Sequence, residues 1–71
     1  MPTPVLAEIS GTVWKIETPD GEAVEAGQVL LIIESMKMEI PVLAEGPGVV
    51  TQMHVAEGDV IQEGDLIAVI S

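Results

Sequence analysis

The sequence predicts an all-β fold: a flattened barrel or sandwich of two four-stranded antiparallel sheets with internal pseudo-twofold symmetry. Three observations point there. The chain repeats itself at a constant offset of 37 residues. Its seven glycines and five prolines leave no periodic window long enough for a helix. Its large apolar residues, Trp14 apart, are Val, Ile, Leu and Met, a palette weighted toward strands.

Residues 5–33 lie without a gap over residues 42–70. Val5-Leu6-Ala7-Glu8 recurs unchanged as Val42-Leu43-Ala44-Glu45, and Gly11, Val13, Gly21, Gly27 and Ile33 fall on Gly48, Val50, Gly58, Gly64 and Ile70. Each copy is too small to bury its own apolar face, so the two must pack on each other. Two units are too few for an open solenoid, and closure into a compact body follows. At 71 residues the chain forms one domain, residues 1–71, with units 5–33 and 42–70 joined by a hairpin at 34–41.

Taken in order, residues 5–9 and their counterpart 42–44 are short strands, ended by Ser10-Gly11 and by Gly46-Pro47-Gly48. Residues 12–17 and 49–55 are second strands. Val50, Met53 and Val55 cannot share one face of a regular strand, so a bulge or strong twist is expected there. Asp20-Gly21-Glu22 and Glu57-Gly58-Asp59 are turns. Two-residue strands follow at Ala23-Val24 and Val60-Ile61. Ala26-Gly27-Gln28 and Glu63-Gly64-Asp65 then turn into the most apolar strands, 29–33 and 66–70.

Composition narrows the function. Two basic against twelve acidic residues give a formal net charge of −10, which argues against nucleic acid or an anionic membrane surface as partner. The chain has no cysteine, which removes disulfides and thiolate metal sites. The longest run of large aliphatics, 29–33, is too short to cross a bilayer. Met1-Pro2-Thr3-Pro4 lacks the positive start of a secretory signal, so a cytoplasmic location is expected. No nucleophile–base pair can be assembled, so the chain is not expected to be an enzyme by itself. His54 reads as a surface strand residue, and Trp14 as a partly buried packing residue.

Chemistry concentrates in Glu34-Ser35-Met36-Lys37-Met38-Glu39-Ile40 at mid-chain. Lys37 is one of two lysines; its equivalent under the offset would be position 74, beyond the last residue. The hairpin tip should therefore lie opposite the place where the two ends of the sequence meet. A lysine amine on a flexible four-carbon stem, mounted on a rigid hairpin, suits an amide-linked group that swings between distant sites. Met36 and Met38, soft and unbranched, can lie on the surface and be gripped by a modifying enzyme. The plain reading of Lys37 is a solvated turn lysine. The same reading suffices for Lys15, which lacks methionine flanks and is matched by Gln52 in the repeat.

Glu34-Ser35-Met36-Lys37-Met38 resembles the attachment motif of biotinyl domains, and the two-copy strand pattern resembles the biotinyl/lipoyl domain fold, over nearly the whole chain. Gly48, Glu57-Gly58-Asp59-Val60 and Glu63-Gly64-Asp65-Leu66 are similar to family elements of the second half. The resemblance implies a biotin carboxyl carrier. Biotin would be joined covalently to Lys37 by a biotin protein ligase that recognises Glu34, Ser35, Met36, Met38 and Glu39. A biotin carboxylase would charge the biotin ring from bicarbonate and ATP. A carboxyltransferase would pass the carboxyl group to an acyl-CoA, such as acetyl-CoA, or to a 2-oxo acid. The segment Thr18-Pro19-Asp20-Gly21 leaves no room for the inserted thumb of some members, and no Ala/Pro-rich linker or docking region is expected. The isolated domain is expected to be monomeric. Two alternatives stand beside this: a lipoyl-bearing acyl carrier, although the lipoyl surroundings Asp-Lys-Ala are replaced by methionines, and an unmodified assembly domain of the same fold.

Overall fold

The computed structural model describes residues 2–71. Eight strands follow in order: β1 (Thr3–Leu6), β2 (Gly11–Ile16), β3 (Ala23–Val24), β4 (Val29–Ser35), β5 (Met38–Leu43), β6 (Gly48–Met53), β7 (Val60–Ile61) and β8 (Leu66–Ile70). They make two four-stranded antiparallel sheets, ordered β1-β8-β6-β3 and β5-β4-β2-β7. No helix occurs among the described residues. The all-β expectation holds.

The repeat is legible in every ladder. Ile33 faces Ile40 across β4 and β5, and Ile70 faces Thr3 across β8 and β1; the positions differ by the offset, 33 + 37 = 70 and 3 + 37 = 40. Opposite β4 the register of β2 slips between Val13 and Lys15, and opposite β8 that of β6 slips between Val50 and Gln52. These are the bulges that the broken alternation predicts, and they leave Trp14 and Thr51 as the extra residues. The turns match too. The Gly21 N–H donates to the Val50 carbonyl and the Gly58 N–H to the Val13 carbonyl, both at 2.7 Å. At φ +87° and +94°, both glycines take a backbone conformation that side chains disfavour.

A second pair of irregularities builds the core. Pairing of β4 with β5 skips Leu30, and pairing of β8 with β1 skips Ile67. Each skipped residue turns inward beside a neighbour that already faces inward, so Leu30 with Leu31 and Ile67 with Ala68 are all fully buried. Ile33, Val13 and Val50 join them. Thr18 is the buried polar residue among those described, and its hydroxyl donates to the Val29 carbonyl at 2.9 Å.

Element ends depart from expectation at several places. β1 covers Thr3–Leu6 instead of 5–9, because Ala7 leaves the sheet: its N–H donates to the Asp65 carbonyl and its carbonyl accepts from the Gly64 N–H, both at 2.8 Å. β6 stops at Met53, so exposed His54 lies just past the strand and not within it, its ring nitrogen 2.9 Å from the Gln52 side-chain oxygen. Trp14 is half exposed, since the bulge turns it away from the interior. The largest departure concerns the centre of the chain. β4 runs on to Ser35 and β5 begins at Met38, four residues before the strand expected at 42–44. Ile40 and Pro41 are thereby equivalents of Thr3 and Pro4 and belong to the repeat.

Candidate functional site: the Met36–Lys37 hairpin

From Thr3 the chain runs through β1, away from the end of β8, and through the bend at Glu8-Ile9 before it enters β2 at Gly11. Gly11 lies under the β4–β5 hairpin, and its counterpart Gly48 lies under Ser71. The hairpin thus occupies one end, while Thr3 and Ile70 meet at the other.

The hairpin is tight. Glu34 pairs with Glu39 and Ser35 with Met38, so the turn consists of Met36 and Lys37 alone. Their φ values are +52° and +65°. A two-residue hairpin turn with both central residues at positive φ is a type I′ arrangement, whose usual occupants are Asn-Gly or Gly-Gly. Side chains in this region cost about 1–2 kcal/mol per residue. That absence of turn-type residues is why sequence reading stops the strands too early. The ladder holds the turn through fully buried Ile33 and through the close approach of β2 at Gly11. A Cβ on Gly11 would stand 2.6 Å from the Glu34 carbonyl oxygen and 3.2 Å from the Ser35 Cβ. Gly11 is the site residue that motif reading passes over. Its signal in the sequence is its match with Gly48.

All six motif residues come together at this end. Met36 is 87% exposed and Met38 56%, which places both on the surface as expected. Lys37, Glu34 and Glu39 are exposed, and Ser35 is half buried. Glu34 and Glu39 stand directly opposite one another, a like-charge pair that weakens the ladder they share. Among the described residues the ion pair formed is Lys15 with Glu17 at 3.6 Å, so Lys37 projects without a carboxylate partner. No group of His, Cys, Asp and Glu that could hold a metal ion occurs among them. The chemistry on offer is one unencumbered primary amine at the apex of a stiff mount, which fits amide attachment of a carboxylic acid such as biotin.

Comparison with known proteins places this geometry. Residues 1–70 match the biotin/lipoyl family described as "Biotin-requiring enzyme". The Biotin/lipoyl attachment protein of Bacillus subtilis is 44% identical over 36 residues, which is 51% of this chain and 49% of that protein. The methylmalonyl-CoA carboxyltransferase 1.3S subunit of Propionibacterium freudenreichii subsp. shermanii is 52% identical over 33 residues, 46% of this chain and 27% of that subunit. Among solved structures, the urea carboxylase of Kluyveromyces lactis superposes on all of this chain with a TM-score of 0.94 at 38% identity, using 6% of its own length. The matched region is half or less of each relative. With a family match over nearly every residue and the same fold, the chain belongs to the biotin/lipoyl family of biotin-requiring enzymes, and its prosthetic group is covalent biotin.

Proposed function

We propose that Lys37 carries the biotin and that the chain is the carboxyl carrier of a biotin-dependent carboxylase. The observation that carries this reading is the place of Lys37: the apex of a two-residue turn, exposed, and without a carboxylate partner among the described residues. The bond is an amide between the Lys37 Nζ and the biotin carboxyl carbon. Bound biotin supplies a ring that takes up and gives back a carboxyl group. The chain's own residues supply position. The stiff hairpin holds the stem away from the body, and tethering raises the effective concentration at each partner site. Exposed Met36 and Met38, with Glu34, Ser35 and Glu39 on the strand ends, are the features a biotin protein ligase would read. A biotin carboxylase and a carboxyltransferase acting on an acyl-CoA or a 2-oxo acid would be served in turn, in the cytoplasm, by a domain that is monomeric when isolated and catalyses neither step.

The test is co-expression with a biotin protein ligase, followed by intact mass and avidin capture. One added biotinyl group per chain is expected, abolished in Lys37→Arg and retained in Lys15→Arg. Unmodified protein, or labelling that survives Lys37→Arg, would overturn the assignment. A parallel arm with a lipoate ligase separates biotin from lipoate as the group taken at Lys37.

A further inference from the structure

The edge strands β1 and β5 face each other across an open groove of about 630 Å³ that takes no part in attachment. Val5, Leu6 and Glu8 of one copy and Val42, Leu43, Ala44 and Glu45 of the other form its opposite rims, and Ile33 and Ile70, equivalent in the repeat, also line it. Leu6 on one rim is 50% exposed and Leu43 on the other 46%, so the two rims present equivalent aliphatic side chains to solvent. Glu8 and Glu45, also equivalent, add a carboxylate at each end, and among the described residues no cationic side chain lines the groove.

We propose that this groove receives an extended segment of a partner protein in which basic residues alternate with aliphatic ones. The volume lies in the range of sites that enclose a short ligand. Its length and two-sided apolar rims suit a chain segment laid along it, with aliphatic side chains against Leu6 and Leu43 and a cationic group toward Glu8 and Glu45. Recognition rests on side chains. Pro4 and Pro41 stand at equivalent places on the two rims and remove a backbone donor from each edge, which works against strand addition. A second copy of the chain is disfavoured, because both molecules bear a net charge of −10 and would bring glutamates to the same groove. Ile33 and Ile40 line the groove while Met36 and Lys37 do not, so the binding itself does not depend on Lys37 being modified.

The test uses the whole chain, labelled with nitrogen-15, titrated with the capped peptide Leu-Arg-Val-Arg-Leu. Two companion peptides replace the aliphatic residues with Ser, or Arg with Glu. Saturable amide shifts centred on Leu6, Glu8, Leu43 and Glu45 are expected with the first peptide only. Combined E8Q and E45Q should weaken binding about fivefold to tenfold, the effect of two exposed charge pairs. Combined L6S and L43S should weaken it at least as much, with both variants first checked for an unchanged fold by their own spectra. Asp20→Asn with Glu22→Gln, on the exposed β2–β3 turn away from the groove, should change it less than twofold. Equal binding of the Ser peptide, shifts spread over acidic turns, or no saturation would overturn the proposal. So would concentration-dependent shifts at the same amides without peptide, which would mark a second copy as the occupant.

Discussion

Gly11→Ala is the sharpest perturbation the hairpin offers, because the repeat supplies its control. A methyl group on Gly11 would meet the Glu34 carbonyl oxygen at 2.6 Å and the Ile33 Cγ2 at 2.7 Å; on Gly48 it would meet the Ile70 Cγ2 at 2.6 Å and the Ser71 carbonyl oxygen at 2.7 Å. The clashes match in kind and severity. Overpacking of this sort costs about 1–3 kcal/mol, and each kcal/mol lowers the melting temperature of a domain this small by about 4–8 °C. Both variants should therefore lose stability by similar amounts in urea and thermal unfolding. Only Gly11→Ala pushes on the strand that carries Ser35 and, through it, the Met36–Lys37 turn. Initial rates of ligase-catalysed biotinylation, measured at a temperature where both variants remain folded, should fall in Gly11→Ala and stay near the parent rate in Gly48→Ala. Equal rates in the two variants, whether both high or both low, would refute the idea that Gly11 positions Lys37.

Three further outcomes follow from the same geometry. Met36→Gly removes a side chain from φ +52° and should stabilise the protein by about 1 kcal/mol in urea unfolding, while slowing ligase labelling, as the proposed recognition of Met36 requires. Glu34→Gln relieves the like charge opposite Glu39 and should add about 0.2–1 kcal/mol, a gain that shrinks in high salt. Thr18→Val deletes the buried hydroxyl that donates to the Val29 carbonyl, and the orphaned acceptor should cost about 1–3 kcal/mol by the same measurement.

How far the sequence discloses this molecule depends on which interactions are local. Gly21, Gly58 and the paired turn residues are legible because each turn is solved within a few residues, and the 37-residue offset then transfers every solution to the other copy. The bulges of the second strands are legible because Val50, Met53 and Val55 break alternation. Those at Leu30 and Ile67 are not: in a continuous apolar run every residue reads as buried, and only the partner strand decides which one is skipped. The early end of β1 is equally hidden, since Ala7 is drawn out by backbone groups of Gly64 and Asp65, more than fifty positions away. Lys37 is legible as chemistry. Its turn is not, because Met-Lys carries none of the residues that favour positive φ.

That mismatch bears on why the hairpin is built as it is. The two sheets carry two versions of the same strand pair, β4 with β5 and β8 with β1. The unfavourable features sit at the first. Two side chains at positive φ cost about 1–2 kcal/mol each, and Glu34 opposite Glu39 adds about 0.2–1 kcal/mol. Together these amount to about 2–5 kcal/mol, from nearly half to the whole of the lower limit, about 5 kcal/mol, of typical domain stability. A turn selected for stability alone would carry Asn-Gly and an opposite-charge pair on the same scaffold. The hairpin tolerates these costs because Ile33, Leu31 and Leu30 are fully buried beneath it, so the strain cannot relax by fraying the strands. The tip is strained but anchored, and that combination fixes the backbone from which the Lys37 stem projects without help from any side-chain contact.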